Sequence, residues 1–173
     1  DAGRDYSDCR GTERTRQEKA GLRKEGIQMI RATNHIGICV SDMEQCIPFY
    51  EGVLGLKRVY DDEMTGHFLD TVQGRENMHY RIVKFASPEG FIVELLQDFA
   101  HVCKPQTENC LQDGGLRHFA YEVADVDAAY QRVKAAGCAT ISEPCTSEDG
   151  SMRLFFVRDP ELNLIELMQF FKP

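Results

Sequence analysis

PEGFIVEL at residues 88–95 and PELNLIEL at residues 160–167 are one phrase written twice. Each has a proline, a glutamate beside it, and an apolar strand carrying one charged residue, Glu94 or Glu166, six positions after the proline. A carboxylate inside an apolar strand is costly unless something pairs with it. Two such strands at matched spacing point to a shared partner, a metal ion or a substrate.

The repetition extends outward from these strands. NHIGICV (residues 34–40) alternates, with Ile36, Ile38 and Val40 on one face and His35, Gly37 and Cys39 on the other. RHFAYEV (residues 117–123) does the same, with His118, Ala120 and Glu122 opposite Phe119, Tyr121 and Val123; Asp125 follows His118 by seven residues, as Asp42 follows His35. Ser41 or Asp42 caps a helix with apolar positions at Met43, Cys46, Ile47, Tyr50, Val53 and Leu54, ended by Gly55. Pro48 lies past its first turn and predicts a kink or a late start. The second helix, DVDAAYQRVKAAG, ends at Gly137.

Residues 56–60 read as a strand, followed by a polar excursion over residues 61–77 that holds a short helix around residues 68–72. MHYRIVKFA and GFIVELLQ are strands joined by the SPEG turn, and residues 138–141, MRLFFV and NLIELMQF supply three more in the second half. Such repetition constrains the whole fold at once. The expected class is α+β: two tandem βαβββ modules, about residues 31–99 and 116–171, forming a curved eight-stranded mixed-sheet cup with helices on the outer face. Residues 100–115 are the linker of a domain spanning residues 29–173. Residues 1–28, dense in charge of both signs, are a charged N-terminal extension, either a solvated helix or a disordered tail, and Met29 is the expected natural start.

Strand parity gathers the candidate site. In each module the histidine lies opposite the apolar residues under the helix, while Ile92, Glu94 and Leu96, or Leu164, Glu166 and Met168, share a face. His35, Glu94, His118 and Glu166 therefore point into the cup. Two neutral imidazoles and two carboxylates around one divalent cation give a shell of zero net charge, which offsets the desolvation of the carboxylates. Mixed nitrogen and oxygen ligands suit nickel, cobalt, zinc, iron or manganese, with positions left for substrate oxygens. Taken singly, each histidine reads better as a hydrogen-bonded structural residue, and it is the symmetric pairing that favours the shared site. His67, His79 and His101 lack repeat partners and read as surface residues, with His79 or Arg81 as further contacts if they face the cup.

The chain has 173 residues, 42% hydrophobic and 28% charged, the balance of an ordinary globular protein. A formal charge of −8 and a pI near 5.1 argue against nucleic acid or an anionic membrane as partner and favour a small molecule. No apolar run is long enough to span a bilayer, so a cytoplasmic protein is expected. Seven cysteines without a CxxC pair support neither a disulfide framework nor a zinc ribbon, and Cys39 reads as packing beside the site.

NHIGICVSDMEQCIPFYEGVLGLKRVY, ASPEGFIVELLQ, GGLRHFAYEVADVDAAYQRVKAAG and VRDPELNLIELMQ, within residues 31–171, resemble the vicinal oxygen chelate superfamily of glyoxalase, bleomycin resistance and dioxygenase proteins. The similarity is to the glyoxalase I-like or methylmalonyl-CoA epimerase-like branch. It implies paired modules, one divalent metal ion and a homodimer, and it places His35, Glu94, His118 and Glu166 on the family's four ligand positions. The implied activity is that of a metal-dependent lyase or isomerase, related to lactoylglutathione lyase or epimerase-like. The metal binds two oxygens of a small oxygenated substrate, Glu166 or Glu94 removes a proton next to the carbonyl, and the metal holds the enediolate or enolate. Bacterial glyoxalase I tends to carry an arginine and an asparagine for glutathione where this chain has Cys39 and Asp98, so those contacts are not carried over. The alternatives are an extradiol-type ring-cleavage dioxygenase, against which Glu94 as a fourth ligand argues, and a non-catalytic sequestration or resistance protein. A binder of that kind would present an aromatic-lined groove, and the small cup-facing residues Gly37, Cys39, Ala120 and Leu164 do not suggest one.

Overall fold

In this computed structural model, residues 29–104, 111–112 and 114–171 are described. Asn34–Pro173 forms one compact unit, separate from Asp1–Thr33. The expected N-terminal extension lies outside the described residues, as do Cys9, Cys110 and residues 105–110 and 113 of the predicted linker.

Strand β1 (His35–Cys39) leads into helix α1 (Met43–Ile47), where Asp42 serves as N-cap and accepts from the Glu44 and Gln45 amides. At Pro48 the winding changes, and Pro48–Val53 is a π-helical segment, with the Leu54 amide donating five residues back to Phe49 at 2.9 Å. The expected kink is thus a change of helix type at the proline, whose missing N–H interrupts the α ladder where it must widen. From Asp42 to Gly55 the chain spends one residue more than from Asp125 to Gly137, and the wider turn accommodates it. Strand β2 (Lys57–Thr65) runs well into the polar excursion, which then forms helix α2 (His67–Gln73). Strands β3 (His79–Ala86) and β4 (Ile92–Asp98) follow, turning at Gly90, whose φ of 87° suits glycine.

The second module holds β5 (His118–Glu122), α3 (Val126–Ala135), β6 (Cys145–Thr146), β7 (Met152–Arg158) and β8 (Leu164–Phe170). Its third element corrects the sequence reading. Residues 138–141 make only an isolated bridge, Thr140 to Val157, and the edge strand comes later as the two residues of β6. The apolar side chains of Cys138 and Ile141 suggested a strand, but residues 142–144 carry no strand either, and edge pairing resumes only beside Arg153 and Leu154.

The eight strands form two four-stranded mixed sheets, ordered β1-β4-β3-β2 and β5-β8-β7-β6. In each the first strand runs parallel to the last, and the remaining pairs are antiparallel. The helix-side residues of both modules merge into one core, in which Tyr50, Phe85, Val93 and Leu95 pack with Val126, Phe155, Ile165 and Leu167. A buried hydrogen bond joins the modules through that core, from the Tyr50 hydroxyl to Asp159 at 2.6 Å. Twin glutamines on the twin strands seat the helices: Gln97 accepts from the Met43 amide at 2.9 Å and Gln169 from the Val126 amide at 3.0 Å. This fixes which face of each sheet remains for a site.

Candidate metal centre

The face opposite the core carries the predicted residues. In the first module Gly37 of β1 lies beside Glu94 of β4, which in turn faces Lys84 of β3. Gly37 leaves room here, since a Cβ at that position would meet Glu94 Oε2 at 3.8 Å and Leu96 at 3.4 Å. His35 Nε2 sits 3.3 Å from Glu94 Oε2, and Lys84 Nζ sits 2.8 Å from Glu94 Oε1. The buried carboxylate therefore has an ammonium on one oxygen and an imidazole nitrogen beside the other. Asn34 Oδ1, 2.6 Å from His35 Nδ1, fits as acceptor for the remaining ring proton, leaving Nε2 as the lone pair toward Glu94.

The second module repeats the pair without the lysine. His118 Nε2 lies 3.3 Å from Glu166 Oε2, and the residue across the strand pair from Glu166 is Phe156, whose ring meets the His118 ring edge-on at 5.4 Å. Both glutamates are largely buried, with side chains 12% and 13% exposed, whereas His35 and His118 reach solvent at 36% and 40%.

The four residues thus form two His–Glu pairs of matching geometry. Among the described residues, no group of three or more His, Cys, Asp or Glu side chains is placed to hold a metal ion. Each pair offers one nitrogen and one oxygen donor, the mixed donor chemistry that suits a divalent transition ion. The donor chemistry fits such an ion, and completing its shell requires the two halves to meet.

The remaining candidates lie away from the two pairs. His79 and Arg81 share the parity of Val83 and Phe85 and so lie on the helix side; His79 pairs with Glu63 at 2.7 Å, and Arg81 is held by Asp61 and Glu44. Asp61 is correspondingly depressed below the usual carboxylate range by the hydrogen bond from Arg81, with Arg58 adding to the effect against a smaller cost of burial. His101 is tied to Asp98 at 2.9 Å, and His67 starts α2. Cys39 lines a cavity with Cys103, Arg117 and His118, but burial pushes its thiol up, with Cys103 and Asp98 adding to the effect, so it is not poised as a thiolate. The cysteines of the described residues are free thiols.

Three site-face residues were missed by sequence reasoning: Lys84, Phe156 and Tyr60, which stands opposite Lys84 on β2 and presents its ring to Nζ. The signal was present. The Ser87–Phe91 turn sets Ala86 opposite Ile92, and stepping two residues back on each strand brings Lys84 opposite Glu94. Tyr60 and Phe156 thus add aromatic rings to a face on which Gly37, Cys39, Ala120 and Leu164 had suggested no aromatic-lined groove. The polar excursion also adds to this face, since Leu69 of α2 packs with Met78, Tyr80 and Ile82 in a second small core against Met64 and Leu96. On the second module nothing equivalent among the described residues covers Leu154, Phe156 and Met168, which are partly exposed.

The profile described as the Glyoxalase/Bleomycin resistance protein/Dioxygenase superfamily matches residues 32–167. The chain is 26% identical over 141 residues to the uncharacterized protein YwbC of Bacillus subtilis, covering 82% of this chain and 99% of that one. It is 26% identical over 140 residues to a probable lactoylglutathione lyase of Vibrio cholerae, covering 78% of this chain and 88% of that protein. Among solved structures, a glyoxalase family protein from Bacillus cereus superposes with a TM-score of 0.77 at 20% identity, over 85% of this chain and all of that one (100%).

Proposed function

Because the chain belongs to the glyoxalase/bleomycin resistance protein/dioxygenase superfamily, we propose that it is a divalent-metal-dependent lyase or isomerase of the glyoxalase-like class, acting on a small oxygenated substrate by proton transfer next to a carbonyl. The observation that carries this reading is the duplicated His–Glu pair, 3.3 Å in each module, on the face that each sheet turns away from the core. Nickel, cobalt, zinc, iron or manganese held by His35, Glu94, His118 and Glu166 would supply electrophilic stabilisation of the negative charge that develops on the carbonyl oxygen. Glu166, or its twin Glu94, would take the proton from the adjacent carbon and return it.

The unit that acts is a homodimer, in which His35 and Glu94 of one subunit meet the partner's His118 and Glu166. Two features support this pairing: the donors lie as separate pairs, and Leu154, Phe156 and Met168 of the second module stay partly open to solvent. Domain exchange of this kind is an economical route to a two-fold dimer. His35→Ala and His118→Ala chains each lose metal when prepared alone. Unfolded and refolded together at equal amounts, they recover about a quarter of wild-type metal content, because half of the dimers are mixed and each mixed dimer retains one intact site. No recovery on mixing sinks the exchanged pairing.

Turnover of metal-loaded protein separates the reaction classes. Conversion of methylglyoxal with thiols, or proton exchange on methylmalonyl-CoA, without oxygen consumption supports the lyase or isomerase; oxygen uptake with catechols supports ring cleavage instead. A sequestration protein is the second reading, and the aromatic rings of Tyr60 and Phe156 on the site face favour it more than the sequence suggested. Tight substrate binding without turnover would identify it.

A further inference from the structure

Glu94 and Glu166 occupy equivalent places in the two modules, yet their surroundings differ in one respect. Across the β3–β4 pair the residue facing Glu94 is Lys84, with Nζ 2.8 Å from Oε1; across β7–β8 the residue facing Glu166 is Phe156. The lysine is itself held in place. It stands opposite Tyr60 in the β2–β3 register, with Nζ 5.6 Å from the ring centroid, so a row runs across the sheet from Tyr60 through Lys84 and Glu94 to Gly37. Among the described residues, Glu166 has no lysine or arginine within ion-pair distance, and its charged-group neighbour is His118 alone.

We infer that Lys84 is a positioning residue of the candidate metal centre: it holds Oε1 of Glu94 so that only Oε2, beside His35, is offered to the metal, and it gives the loaded site an excess positive charge that selects anionic substrates. This rests on the four-ligand reading. A carboxylate tied at one oxygen by an ammonium in its own sheet binds through the other and stays, whereas Glu166, with Oε1 untied, retains the rotational freedom that a proton carrier needs. The charge argument is independent of that geometry. Two carboxylates balance a divalent ion, so the ammonium is left uncompensated, and its field acts on whatever occupies the open metal positions. The substrate class is accordingly one that presents a negative oxygen to the metal, such as a carboxylate beside a carbonyl or hydroxyl.

The test uses metal-free full-length protein and calorimetric titration, first with nickel alone and then with oxalate on the nickel-loaded form. Wild type is compared with Lys84→Met, which keeps the apolar stem, and with Lys84→Arg, which keeps the charge. Lys84 competes with the metal for Glu94, so Lys84→Met should bind nickel about fivefold more tightly and oxalate about tenfold more weakly, the scale of a partly exposed charge interaction. Lys84→Arg should restore both values toward wild type. A lysine that merely packed would leave oxalate affinity unchanged, so a Lys84→Met protein that binds either probe as wild type does overturns the inference. Wild-type protein that takes up no nickel overturns the four-ligand reading itself and the inference with it.

Discussion

Glu94 and Glu166 are two largely buried carboxylates in apolar strands; Glu94 is paired with Lys84 at one oxygen and lies beside His35 at the other, and Glu166 lies beside His118. Replacing Glu166 by Gln keeps the side-chain volume and removes the proposed base. Turnover should fall by about a thousandfold or more while the melting temperature moves by only a few degrees; retained activity would take Glu166 out of the mechanism. A different buried carboxylate supplies a pH signature. Burial pushes Asp159 up from the ordinary carboxylate value, although hydrogen bonds from Tyr50, Asn163 and Glu161 oppose the rise. Its contribution to stability is fully present below the ordinary value and is lost as pH rises through the raised value of the folded protein. Wild type should therefore lose stability relative to Asp159→Asn across that window in thermal unfolding at a series of pH values. Parallel curves would contradict the assignment. Tyr50→Phe leaves the buried Asp159 short of a donor and should cost about 1–3 kcal/mol in chemical unfolding.

At the scale of elements, the polar excursion contributes most beyond expectation. Leu69 is the buried residue of α2, 4% exposed, and it anchors the second small core on the site face. Leu69→Ala should cost about 2–4 kcal/mol in urea unfolding, and a loss below half a kcal/mol would mean that α2 packs elsewhere. The strands and both long helices were legible because alternation and capping repeat between modules: the Asp42 and Asp125 caps and the His35 and His118 strands stand where their spacing placed them. What escaped is what periodicity does not encode. The change to π winding at Pro48 depends on a one-residue difference visible only by comparing the two helices. The edge strand β6 has two residues and little apolar signal, while the bridge at Thr140 sits where the apolar pattern suggested a full strand. Side-chain pairing across strands was legible in part, since Lys84 follows from counting back from the turn.

Over the whole molecule, the repeat dictated two modules, and the structure resolves how they join: their helix sides share one core, and the Tyr50–Asp159 hydrogen bond locks it. Each His–Glu pair lies on the far face of its own sheet, as strand parity indicated, but among the described residues the two pairs do not gather into one group, a consequence that sequence could not reach because it depends on how the modules pack. No helix among the described residues is long and apolar enough to cross a membrane. The account turns on whether these pairs hold a metal. Protein purified without chelator is analysed for metal content, and its melting temperature is followed on adding nickel, cobalt or zinc. The account predicts about one divalent ion per chain and a rise of several degrees on reloading stripped protein, as expected for a ligand bound only by the folded state. Protein that carries no stoichiometric metal, and whose melting temperature does not move with any of the three ions, would contradict it.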